Sequence, residues 1–213
     1  MTSPKSIDRR IYNGRKQLPD YDEKRSSILR TSAKLFATHG YDGTSVTDIT
    51  RACRISKSTL YHYFQSKEDI LYEIAHSYMT GFLADMEAFE ETAAHISKLD
   101  RLRAFLRLSL ARFQGARDQQ RVVLNDLQKL PTERSAKIVD MQRVFLDHAQ
   151  NLIVGVRPDL VKGPKEARAR TMLFYGMLNW TMNWYDPEGG VKPDELIEMI
   201  LSMTFERRSE PAG

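Results

Sequence analysis

Residues 45–69, SVTDITRACRISKSTLYHYFQSKED, contain three helix-start signals in succession. Ser45 precedes Val46-Thr47-Asp48, Ser56 precedes Lys57-Ser58-Thr59, and Ser66 precedes Lys67-Glu68-Asp69. A serine there can accept a hydrogen bond from one of the backbone N–H groups that the first turn of a helix leaves unpaired. Ile49, Ala52, Ile55, Leu60 and Phe64 supply the inward positions of two short helices joined by Cys53-Arg54-Ile55. This is the pattern of a helix-turn-helix, whose second helix enters the DNA major groove while the first braces it across the backbone. With Leu60 and Phe64 turned inward, the second helix presents Lys57, Ser58, Thr59, Tyr61 and His62 outward. Those side chains can bond base edges or phosphates, and Tyr61 can also pack on a thymine methyl.

Upstream, Ile28, Leu29, Ala33, Leu35 and Phe36 repeat at three- and four-residue steps from Asp22, and Gly40 stops the run. Residues 1–20 hold Pro4, Asn13, Gly14 and Pro19 among charges, which predicts a flexible basic arm. Downstream, the third serine opens a long helix through Ile70, Leu71, Ile74, Tyr78, Phe82 and Met86. Amphipathic helices follow at 98–114, 118–129, 131–156, 164–185 and 193–208, separated by Pro131, by Pro158 through Pro164, and by Pro187-Glu188-Gly189-Gly190. Strand signals are absent. The expected architecture is all-α: an arm at 1–20, a helix-turn-helix head at 21–67, a larger helical bundle at 68–208 and a tail at 209–213.

Charge separates the two parts. Residues 1–67 carry thirteen basic and six acidic side chains, the rest nineteen and twenty-two, as expected if only the head meets a polyanion. Apolar residues make up 41% of the 213 and charged residues 28%, and no apolar run approaches the roughly 20 residues of a membrane span. The polar N-terminus lacks a secretory signal and Cys53 is the single cysteine, so a reducing cytoplasm is expected.

Catalytic signatures are missing: no Gly-x-Ser-x-Gly, no phosphate-binding or dinucleotide-binding glycine loop, no His-Glu-x-x-His and no paired cysteines. The five histidines are scattered, so neither a metal nor a cofactor is expected. Cys53, at the end of a packed helix, reads as an apolar filler.

The stretch from Ser45 to Asp69, and above all SKSTLYHYFQSKE, closely resembles the DNA-binding head of TetR-type regulators. The likeness runs back through Ala33-Lys-Leu-Phe-Ala-Thr-His-Gly-Tyr41. It implies about nine helices, a homodimer formed through the last two, and repression of operator DNA relieved when a small-molecule effector enters the C-terminal domain; activation would use the same residues. Onto matching positions it carries recognition-helix contacts at Lys57, Ser58, Thr59, Tyr61 and His62, and phosphate contacts at Thr47, Tyr63 and Lys67, with Ser45 as a cap. One departure is Arg54, where the family pattern has glycine in the turn. At φ > 0 a non-glycine residue costs on the order of 1 kcal/mol, and Arg54 would offset this by reaching a phosphate.

In the larger domain, Phe82, Met86, Phe105, Phe113, Phe145, His148, Met172, Tyr175 and Asn179 are the candidate effector contacts. Ordinary core packing accounts for the aromatics equally well. A satisfied core histidine accounts for His148, and a helix-helix hydrogen bond for Asn179. The segment Asn179 to Pro187 with Gly189-Gly190 resembles TetR-type members that sense acyl-CoA thioesters or related acids. On that likeness Arg157, Arg168 and Arg170 would meet the anionic CoA part, or else they are solvated helix ends. Met172, Leu173, Met177, Leu178, Leu196, Ile197, Ile200, Leu201 and Met203 give helices 164–185 and 193–208 enough apolar surface to pair with a second copy, spacing two recognition helices by roughly 34 Å on a near-palindromic operator. The competing reading, a helical adaptor with a solvated basic face, would lack the steep salt dependence of DNA binding.

Overall fold

The computed structural model describes residues 10–93 and 95–205, with side chains from Asp20 onward except at Leu160. The described residues form nine α-helices and no strand. The head comprises α1 (Arg10–His39), α2 (Val46–Cys53) and α3 (Lys57–Tyr63). The bundle comprises α4 (Lys67–Ala93), α5 (Lys98–Gly115), α6 (Arg117–Asn125), α7 (Thr132–Val156), α8 (Pro164–Trp184) and α9 (Pro193–Phe205). The tail at 209–213 and the first nine residues of the arm lie outside the described residues.

Residues 10–20 correct an expectation: they are helical and continuous with α1 rather than a separate arm. Extending a helix already held by packing adds a hydrogen bond per residue without the cost of nucleation, so Gly14 and Pro19 do not suffice to stop it. At the other end the stop signal works as read. Gly40 takes φ +75°, the left-handed region open to glycine, and its N–H closes the helix on the Phe36 carbonyl at 2.8 Å.

The segment expected as one helix over 118–129 is divided. α6 ends at Asn125 and a 3-10 turn spans Leu127–Lys129. The division falls at Asp126, which is buried and accepts the Tyr41 N–H at 3.3 Å. Leu130 is then extended, as a residue before proline tends to be, and Pro131 leads into α7. Proline occupies the first position of α8 and of α9, where its missing N–H has no partner to lose.

Two apolar cores result. The head core gathers Ile28 and Phe36 of α1, Ile49 of α2, Leu60 of α3, Phe64, and Ile70, Leu71 and Ile74 of α4. Val122 and Leu130 from the bundle side complete it, so α6 and the link to α7 are packed into the base of the head. The bundle core is centred on Phe82, Phe105, Phe113, Phe145 and Phe174. Gly81 has a packing role here: a Cβ would collide with the Arg112 guanidinium of α5, which its absence admits close against α4.

Candidate nucleic-acid interface and sensor core

The helix-turn-helix is assembled by the caps read in the sequence. Ser45 Oγ accepts the Asp48 N–H at 3.1 Å, and an Asp48 carboxylate oxygen accepts the Ser45 N–H at 3.0 Å, a closed capping box. The bonds from Ser45 hold the Asp48 carboxyl below its usual range. α2 then ends in a left-handed residue, with the Arg54 N–H on the Arg51 carbonyl at 3.2 Å and the Ile55 N–H on the Thr50 carbonyl at 3.0 Å. Arg54 sits at φ 54°, ψ 46°, the sole non-glycine residue with positive φ among those described, and its side chain is exposed. The departure from glycine therefore carries the backbone strain expected of it.

Ser56 Oγ accepts the Thr59 N–H at 3.0 Å and lies 2.8 Å from the hydroxyls of both Ser58 and Thr59, so the first turn of α3 holds its polar atoms in a fixed array. Leu60 and Phe64 are buried. Lys57, Ser58, Tyr61 and His62 are exposed, Tyr61 at 50%, as is Thr47 on α2, while Thr59 and Tyr63 are half-buried. Lys57, Ser58, Tyr61 and His62 thus give α3 a polar and aromatic outward face.

Two of the predicted phosphate contacts have structural partners. Tyr63 stacks on Tyr21 of α1 with ring centroids 4.7 Å apart, and His62 meets the same ring edge-on at 5.9 Å. Lys67 turns inward: its Nζ donates to the carbonyls of Tyr41 (2.8 Å) and Thr44 (2.9 Å) and lies 4.1 Å from the centroid of the Tyr41 ring. Two of its three N–H donors tie the α1–α2 loop to the start of α4. Tyr21 was missed because it falls at the edge of the predicted arm. The signal was the spacing Tyr21, Arg25, Ile28, which continues the apolar face of α1 by two further turns.

In the bundle, Phe82, Phe105, Phe113 and Phe145 form one connected aromatic cluster, with centroid separations of 4.6 Å for Phe82–Phe145, 5.8 Å for Phe82–Phe113 and 5.4 Å for Phe105–Phe145. Tyr175 joins through Phe145 at 5.3 Å, His148 through Phe105 at 5.2 Å, and Met86 packs at its margin. Met172 does not belong to this set. It is 48% exposed on the outer side of α8, because position 172 falls on the helix face opposite Thr171, Phe174 and Leu178, which are buried.

His148 Nε2 lies 3.2 Å from a Glu90 carboxylate oxygen, and Arg101 pairs with the other oxygen. Burial pushes the His148 pKa down against the pull of Glu90. Asn179 Oδ1 accepts from Gln120 Nε2 at 2.9 Å. Glu90, Arg101 and Gln120 were not among the sequence candidates, since partners 11 to 59 residues apart leave no local pattern. Arg157, Arg168 and Arg170 are already paired, with Asp159, Asp147 and Glu166 respectively, each at 2.9 Å.

The head is joined to the bundle by a short polar seam. Lys129 pairs with Asp42 beside the Asp126–Tyr41 bond, and Arg134 of α7 bonds Asp69 at 2.7 Å and approaches Glu68 at 3.2 Å. Burial raises the Asp126 carboxyl. Burial also acts to raise Asp69, but the bonds from Arg134 and Ser66 outweigh it and hold that carboxyl low. On the far side, Leu173 (72% exposed), Trp180, Trp184, Met199 and Met203 (75% exposed) form an uncovered apolar face across α8 and α9, while Leu178, Leu196, Ile197, Ile200 and Leu201 are buried within the chain. Among the described residues no group of His, Cys, Asp or Glu is placed to hold a metal ion, and no helix is long and apolar enough to cross a membrane.

Comparison with known proteins gives this geometry a family. Residues 28–74 match the model of the tetR family of bacterial regulatory proteins, and residues 95–207 match the tetracyclin repressor-like C-terminal domain. The chain belongs to the TetR family. A TetR-family regulator from Bordetella parapertussis has the same fold with a TM-score of 0.79 and 33% identity, covering 86% of this chain and 95% of that one. The transcriptional repressor KstR2 of Rhodococcus jostii is 27% identical over 199 residues, covering 88% of this chain and 92% of its own. AibR, solved in complex with isovaleryl coenzyme A and operator DNA, aligns with a TM-score of 0.68 at 26% identity, covering 84% of this chain and 97% of AibR. As a TetR-family protein the chain is a DNA-binding transcriptional regulator rather than an enzyme.

Proposed function

We propose that this TetR-family regulator is a repressor that works in the cytoplasm as a homodimer paired through α8 and α9, and leaves its operator when an acyl-CoA thioester or related organic acid enters the bundle. The observation that carries the DNA part is the outward face of α3, where Lys57, Ser58, Tyr61 and His62 stand exposed on a helix braced by the Ser56 cap and the Tyr21–Tyr63 stack. Lys57, Ser58, Thr59, Tyr61 and His62 read base edges or adjacent phosphates, and Thr47 and Tyr63 fix the head on the backbone. Lys67 serves mainly as a strut for that head. The uncovered α8–α9 face supports pairing, since an exposed apolar patch of this kind marks a protein interface.

The effector part rests on the likeness to AibR, together with the aromatic cluster and its polar border. Arg157, Arg168 and Arg170 would have to exchange a carboxylate for a phosphate to hold the CoA portion. We assign residues 21–67 to the head and 68–208 to the sensor, with α6 packed at their junction. Ligand then acts by population shift: the free dimer favours a head spacing of about one DNA turn, and the bound dimer favours another.

The test is binding of the purified chain to DNA upstream of its own gene, with acyl-CoA thioesters titrated against free fatty and aromatic acids. Release by one thioester, with affinity falling steeply as salt rises, is the expected result. Binding no tighter than to random duplex would reject the proposal.

A further inference from the structure

Several polar atoms buried in the sensor bundle have no hydrogen-bond partner within the protein, among them the Tyr78 hydroxyl on α4, Gln120 Oε1 on α6, and Ser109 Oγ and Arg112 Nε on α5. Buried polar groups nearly always find a partner, and leaving one unpaired costs more than a bond usually gains. The Tyr78 and Gln120 atoms border the same cluster. Tyr78 contacts Phe82 at 6.1 Å, Phe82 contacts Phe145, and Phe145 contacts Tyr175. Gln120 is 2% exposed and donates its Nε2 to Asn179, which lies one helical turn from Tyr175 on α8 and acts on its phenol. The result is a polar edge of Tyr78, Gln120, Tyr175 and Asn179 on an aromatic interior.

All four groups are uncharged, since burial holds both phenols above their ordinary value. The neighbouring cations are partly engaged, with Arg112 Nε left over. Arg112 binds Asp85 at 2.7 Å and the Tyr78 carbonyl at 3.1 Å, and Arg117 binds the Tyr185 carbonyl at 2.9 Å and Gln114 at 3.1 Å. A carboxylate brought to this edge would lose its water and bring no hydrogen for Gln120 Oε1, whose lone pairs would face its own. A hydroxyl or amide has what the edge lacks: a hydrogen for Gln120 Oε1 and an oxygen for the Tyr78 hydroxyl.

We infer that the part of the effector reaching this core is an apolar body carrying an uncharged hydroxyl or amide, held by Gln120 and Tyr78, and not a free carboxylate. This rests on reading the bundle as the effector site, and it separates a thioester or other neutral derivative from the free acid.

The experiment is calorimetric titration of the full-length protein with a matched series: octanamide, 1-octanol, methyl octanoate, octanoate and octanoyl-CoA. Octanamide and 1-octanol should bind about tenfold or more tighter than octanoate, the scale of one buried hydrogen bond. Gln120→Leu and Tyr78→Phe should each remove most of that preference; Tyr78→Phe deletes only the oxygen and keeps the ring, so it stands if Gln120→Leu fails to fold. Octanoyl-CoA binding well above octanamide, with the excess lost in Tyr78→Phe, would support the inference and place the contact on the pantetheine amides. Parity of the two would support it and place the contact on the apolar body itself. Octanoate binding as tightly as octanamide, or selectivity surviving both variants, overturns it. So does failure of the whole series to bind while operator binding persists, an outcome that leaves the repressor reading standing; loss of operator binding in the unaltered protein would instead strike that wider reading.

Discussion

The head and the sensor bundle satisfy their polar groups over different distances. In the head the hydroxyls of Ser45, Ser56 and Ser66 each accept from a backbone N–H three residues on. In the bundle, Gln120 Nε2 reaches Asn179 and Arg112 reaches Asp85 and the Tyr78 carbonyl, each on a different helix, while Gln120 Oε1, the Tyr78 hydroxyl and His148 Nε2 are left without a hydrogen bond. Local bonding fixes the shape of α2 and α3 whatever their outward residues are. Bonding between helices makes the interior of the bundle depend on how the helices sit, which is what a ligand needs in order to move them.

The comparison predicts, first, that changes on the outer face of α3 alter function without altering fold. Lys57→Ala or Tyr61→Ala should weaken operator binding by about 1–3 kcal/mol per lost base contact, some tenfold to hundredfold, as followed by fluorescence anisotropy. Melting temperature and dimer mass should stay nearly unchanged, and a fall in either would mean that α3 is structural.

Lys67 is the exception within the head, since its bonds span 23 and 26 residues. Lys67→Met should lower stability by about 2 kcal/mol through two lost hydrogen bonds to carbonyls and a lost ring contact. Urea unfolding reads this directly, and a variant as stable as the original would return Lys67 to the set of free phosphate contacts.

Arg54→Gly sharpens the comparison from the side of strain. Relief of the left-handed backbone should raise stability by about 1 kcal/mol, and operator affinity should fall if the exposed guanidinium meets a phosphate. A salt titration would show the slope of log affinity reduced by about one. Stabilisation with unchanged binding would make Arg54 a tolerated strain with no contact.

The smallest effect concerns the junction. Burial raises the folded-state pKa of Asp126, so its contribution to stability is greatest below the ordinary aspartate value and is lost as pH rises through the raised one. Asp126→Asn keeps an oxygen for the Tyr41 N–H and removes the charge. A slightly higher melting temperature at pH 7, shrinking towards acid pH, is expected in calorimetric scans. A lower one at pH 7 would show that attraction to Lys129 and Lys67 outweighs burial.

The caps, the turn with its strained Arg54, and the outward set on α3 were all legible in residues 45–69, because each depends on neighbours within a few positions. The misreadings occurred where distant parts decide. Met172 and Phe174 are equally apolar in the sequence, yet one faces out of the bundle and the other into it. Lys67 has the charge for a phosphate, and its further tie to the loop carbonyls could not be read because they come near only when α1 and α4 pack.

From its sequence alone the chain is an all-helical protein with a basic, three-capped DNA-reading head, since helix period, capping and charge are short-range properties written in consecutive residues. Only the tertiary structure decided that Tyr21 braces α3, that Asp126 interrupts α6 to hold the head, and that Gln120 and Tyr78 border one aromatic interior. Those pairings join residues far apart in the chain, and the packing of whole helices, not local preference, brings them within bonding distance.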